Sequence, residues 1–78
     1  MKTMNCKQLG GACGQEFHAN SFDEMAEMSK QHGVEMFKKK DEAHLLAMSE
    51  MQNLSKDPKA MKDWYESKKK EFDGLTED

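Results

Sequence analysis

The sequence has no apolar run long enough to cross a membrane, no secretory leader pattern, a single proline and only two cysteines. A membrane span needs about 18 to 20 consecutive apolar residues and a signal peptide roughly seven or more. Without either, the chain is expected to be cytoplasmic and to have no membrane partner. In a reducing compartment two thiols stay free, so a structural disulfide is disfavoured and Cys6 and Cys13 are read as buried thiols, metal ligands or redox groups. Catalytic signatures are lacking as well. No serine sits in a nucleophile elbow, no glycine-rich loop joins a strand to a helix to cradle phosphate, and no His-Glu-x-x-His pair is present. Nothing orients a base beside either cysteine, and a chain of 78 residues leaves little room for a substrate pocket. No catalytic or cofactor-binding residue is therefore assigned, and the chain is read as non-enzymatic.

Positive charge is also short. Twelve basic against 15 acidic residues give a net charge of −3, a poor match for a phosphate backbone, so nucleic acid is not expected as a partner. The two basic runs, Lys38-Lys39-Lys40 and Lys68-Lys69-Lys70, fall near helix C-termini, where cations complement the dipole. One small domain with a thin core is all that this length supports.

What is present begins at the segment Asn5-Cys6-Lys7-Gln8-Leu9-Gly10-Gly11-Ala12-Cys13. A Gly-Gly pair between short alternating runs predicts a β-hairpin over residues 3 to 19, because two-residue turns need positive φ. Leu9 would pair with Ala12 and Gln8 with Cys13. Alternation then places Met4, Cys6, Gln8, Cys13, Gln15 and Phe17 on the inner face and Thr3, Asn5, Lys7, Glu16 and His18 on the outer one. Three helices are predicted after it. Ser21 with Glu24 forms a capping box for a helix over about 21 to 39, whose apolar stripe keeps its phase across Gly33; ending at His32 with Gly33 as the cap is the rival reading. Asp41 caps a second helix over 41 to 54, and Asp57-Pro58 opens a third over 58 to 73, with Met61, Trp64, Tyr65, Lys68 and Phe72 along its buried stripe. The fold class is α+β: an N-terminal β-hairpin packed on three helices in a single domain.

With the parts in this order, residues 1 to 54 resemble a family of short bacterial and archaeal proteins known as a domain of unknown function. The resemblance is carried by Cys6 through the glycines to Cys13, the Phe17 strand, Asp23-Glu24 and the His32-Gly33 pair. It implies no assigned reaction, and the third helix looks like an extension.

Three side chains make the candidate metal site: Cys6, Cys13 and His32, with zinc the soft ion they suit. Their spacing differs from common zinc knuckles, which separate cysteines by two to four residues, and a closed tetrahedral site needs a fourth ligand. His18 is turned outward by alternation, and His44 belongs to the next helix. The competing reading treats both cysteines as small buried hydrophobes. Eight methionines, mostly at helical spacing, read as core filler or as an adaptable binding face. The function expected from sequence is a non-catalytic structural or protein-interaction module, with a protein partner or self-association near Phe37 or Trp64. A Cys/His metal-binding module is the alternative, and a redox-responsive thiol protein the second alternative.

Overall fold

A computed structural model describes residues 1–77. The chain forms β1 (Lys2–Asn5), a short 3-10 turn (Lys7–Leu9), β2 (Glu16–Ala19), α1 (Phe22–Lys38), α2 (Glu42–Ser55) and α3 (Pro58–Asp73). It is an α+β domain in which a two-stranded antiparallel hairpin packs with three helices.

The register pairs Lys2 with Ala19, Thr3 with His18, Met4 with Phe17 and Asn5 with Glu16. This is the register that a turn centred on Gly10-Gly11 would propagate, but the ladder stops at Asn5 and Glu16. Gly10-Gly11 is not the hairpin turn. Residues 6 to 15 form a wide loop instead, so Leu9 with Ala12 and Gln8 with Cys13 are not strand pairs. Local hydrogen bonding explains the departure. Asn5 and Gln8 exchange bonds reciprocally, Asn5 N–H to Gln8 Oε1 at 2.8 Å and Gln8 N–H to Asn5 Oδ1 at 2.8 Å, a capping box that starts the 3-10 turn. Gly10 ends that turn at φ 93°, where a side chain would be strained and its Cβ would lie 3.1 Å from Trp64 and 3.2 Å from Met51. Gln8 and Gln15 are exposed rather than inward, because their segments are no longer strand.

Along the true strands the alternation holds. Met4, Phe17 and Ala19 are buried and His18 is exposed, with Thr3 Oγ1 2.8 Å from His18 Nδ1 across the outer face. The core gathers Met4, Cys6, Leu9, Phe17, Ala19, Phe22, Met25 and Phe72, joined by edge-to-face contacts of Phe22 with Tyr65 and Phe72.

Helix α1 opens on Ser21, whose hydroxyl accepts from Glu24 N–H at 3.2 Å, and runs unbroken through Gly33. Past its Lys39 C-cap the chain turns at Lys40 in the left-handed region, φ 56°. Lys40 N–H donates to the Phe37 carbonyl and Asp41 N–H to the Met36 carbonyl, a Schellman closure with lysine where glycine is usual. That reversal sends α2 back along α1. Asp41 caps α2 and Asp57 caps α3 with Pro58 in its first turn.

The buried stripes are sparser than the sequence suggests. On α3 only Phe72 is buried; Met61, Trp64 and Lys68 are half-buried and Tyr65 is exposed. Phe37 and Leu46 are exposed at 60% and 65%. Helix α2 buries one side chain, and it is a histidine.

Candidate metal centre

That histidine is His44. It stands in the first turn of α2, where the reversal at Lys40 directs it toward the loop between the strands. Cys6, Cys13, His32 and His44 place one ligand atom each within 4.8 Å of one another. Cys6 Sγ lies 3.6 Å from His44 Nε2, and Cys13 Sγ lies 3.3 Å from His32 Nε2. For tetrahedral zinc, with bonds of about 2.3 Å to sulfur and 2.0 to 2.1 Å to nitrogen, neighbouring ligand atoms should stand about 3.3 to 3.8 Å apart. These two of the four sulfur–nitrogen distances fall in that range.

The loop is shaped around the sulfurs. Cys6 carbonyl accepts from Leu9 and Gly11 N–H, while Cys6 N–H bonds the Gln15 carbonyl and Lys7 N–H the Cys13 carbonyl. This winding carries the Cys13 and Ala12 N–H groups toward the Cys6 thiol and the Gln15 N–H toward the Cys13 thiol. Gly11 is required for a different reason from Gly10: a Cβ there would overlap Cys6 Sγ.

One imidazole is held from behind by a carboxylate, the other by ring packing. His44 Nδ1 lies 2.6 Å from Asp41 Oδ2, and the same oxygen accepts from His44 N–H at 3.0 Å. With Nδ1–H donating to the Asp41 carboxylate, the Nε2 lone pair faces the thiols, the carboxylate–histidine arrangement that orients metal ligands. His32 packs its ring edge-on to Phe17 at 5.6 Å and to His44 at 5.4 Å.

The electrostatics separate the two thiols. Burial pushes the Cys6 thiol up, with backbone N–H groups opposing it. Cys13 is drawn down, chiefly by the Gln15 backbone hydrogen bond and further by His44 and Cys6. Hydrogen bonding to Asp41 raises His44, and the same contact lowers Asp41. Although His44 Nε2 points at Cys6, it sits close enough to act on both sulfurs.

The structure thus brings together the three residues singled out from sequence, Cys6, Cys13 and His32, and adds His44 as the fourth. His44 is missed because its place depends on the α1–α2 reversal, though Asp41 three residues ahead of it is a visible sign of an oriented imidazole. His18 stays on the outer face. Both cysteines are free thiols. Compared with known proteins, the chain matches no family model, no curated protein and no solved structure, so its site is read from its own geometry.

Proposed function

We propose that this chain is a small metal-binding module whose Cys2His2 site takes a zinc-like divalent ion. The observation that carries this reading is the convergence of four soft or borderline ligand atoms within 4.8 Å of one another, two of the sulfur–nitrogen pairs at 3.6 and 3.3 Å. It displaces the sequence preference for a purely structural or interaction module, because filler cysteines have no need of two imidazoles aimed at them. Cys6 and Cys13 would bind as thiolates, and His32 and His44 through Nε2. Four protein ligands leave no open coordination position, which assigns the ion a structural role and keeps the chain non-enzymatic. The ion would tie the hairpin loop to α1 and α2. On this reading three of the residues on which the resemblance to the small domain-of-unknown-function family rests, Cys6, Cys13 and His32, are ligands.

Protein purified without an affinity tag and analysed for elements should carry one zinc per chain. Co2+ in its place should give the visible absorption of a tetrahedral ion with thiolate charge-transfer bands. His44→Gln and Cys13→Ser should each weaken binding at least tenfold in a chelator competition. Absence of bound metal after reconstitution under reducing conditions, or unchanged affinity in both variants, refutes the assignment.

A further inference from the structure

The two thiols of this centre open on different surroundings. Cys6 is 3% exposed and borders an apolar cleft with Leu9, Ala47, Met48 and Met51. Cys13 is partly exposed and lines a separate, polar cleft of about 490 Å3 with Gln15, Gln31, His32, Glu35 and Lys39. A polar oxidant little larger than water, whose liquid volume is ~30 Å3, enters the second cleft easily and gains nothing from the first. Both sulfurs ride on one loop, held by the paired bonds Cys6 N–H to Gln15 carbonyl and Lys7 N–H to Cys13 carbonyl. They lie within 4.8 Å of one another, so reaching the ~2.05 Å of a disulfide calls for an approach of less than about 3 Å.

We propose that Cys13 is the site of attack by hydroperoxides and Cys6 its resolving partner, so that oxidation joins the two cysteines and expels the ion. The expulsion rests on the metal reading above; the thiol chemistry does not. Cys13 thiolate attacks one peroxide oxygen, the O–O bond breaks, and the sulfur gives up two electrons to become a sulfenic acid. With hydrogen peroxide, the departing hydroxide takes a proton from solvent and leaves as water. Cys6 thiolate then attacks Cys13 Sγ; the S–S bond forms, the S–O bond breaks, and a second hydroxide leaves and is protonated. In sum, two thiolates, one hydrogen peroxide and two protons give one disulfide and two waters, and the divalent ion passes to solvent. His32 and His44 lose the ion they share, and α2, whose one fully buried side chain is His44, is held less firmly.

The test uses the zinc-loaded full chain, hydrogen peroxide, a chromophoric zinc chelator and dimedone to trap sulfenic acid, with adducts mapped by mass spectrometry. One zinc should be released for each intramolecular disulfide formed. At limiting peroxide, dimedone should mark Cys13 over Cys6 by about tenfold or more, following thiolate access. Cys6→Ser should accumulate the Cys13 adduct, and the wild-type mapping stands even if that variant folds poorly. Marking of Cys6 first, methionine sulfoxide forming ahead of thiol loss, disulfides only between chains, or zinc retained after disulfide formation would each overturn the proposal. If the chain takes up no zinc, the metal reading falls by itself. The same mapping on the metal-free chain then decides the thiol chemistry, which fails if no Cys6–Cys13 bond forms through Cys13.

Discussion

At the residue scale, Asp41 serves two ends at once, capping α2 through His44 N–H and holding His44 Nδ1 with the same oxygen. Asn caps a helix about as well as Asp, so Asp41→Asn separates the two roles. The helix should persist, while metal affinity falls about 10- to 100-fold, the usual loss when an outer carboxylate behind a histidine ligand is removed. Chelator competition measures this, and an unchanged affinity would show that the carboxylate is only a cap. The same contact sets a pH dependence. In the metal-free chain, His44 is raised above its ordinary 6.5, so the stability it contributes is present below that value and is lost as pH rises through the folded one. Asp41 is lowered from 3.8, so its contribution holds above that value and is lost as pH falls through the depressed one. Loading reverses the upper trend, because the ion needs a neutral imidazole and deprotonated thiols and binds better as pH rises. The lowered Cys13 thiol opposes the loss from His44 in the metal-free chain, so above pH 6.5 the melting temperature should rise more steeply with metal than without it; parallel slopes would separate His44 from the ion.

At the scale of elements, the helix starts are written in short local signals. Ser21, Asp41 and Asp57-Pro58 are each the observed N-cap or first-turn residue of a helix, since capping depends on neighbours a few residues away. Ser21→Ala should lower stability by about 1 kcal/mol, seen as a shifted denaturation midpoint with unchanged slope; an unmoved midpoint would mean that Glu24 N–H finds another acceptor. The loop from Cys6 to Gln15 was harder to read. Gly-Gly serves equally as a two-residue turn or as a left-handed cap followed by a position with no room for a Cβ. The choice is made by Asn5 and Gln8, whose capping box is local but easily overlooked inside an alternating run. His44 was hidden for a different reason: its approach to the thiols depends on a lysine adopting positive φ at the end of α1, and no residue type announces that. Three of the four ligands were therefore visible in the sequence, and the fourth only in the turn between two helices.

At the scale of the whole molecule, the backbone is a slab of 33 × 29 × 15 Å, and the accessible surface is 5535 Å2. A compact monomer of 9.0 kDa would expose roughly 4,900 Å2. The excess fits a core that takes almost nothing from α2, and a domain this small commonly needs a staple. An ion at the proposed four-ligand centre would supply one. Removing it with a chelator should cost about 4 kcal/mol at free metal a thousandfold above Kd, lowering Tm by upwards of about 15 °C. Hydrogen exchange should rise first in α2; a chelator-insensitive Tm would leave the slab standing on its core alone. An ion at this centre would leave Val34, Phe37 and Leu46 exposed, so the self-association expected from the sequence stands as a separate proposal. The ligand set also divides the chain. All four residues lie between Cys6 and His44, whereas Lys2 meets the Asp73 carbonyl and its ammonium stands 5.0 Å above the Phe72 ring. An ion at the proposed centre would tie the loop between the strands to α1 and α2 and leave α3 to its own contacts, so fraying at the α3 end should be indifferent to metal.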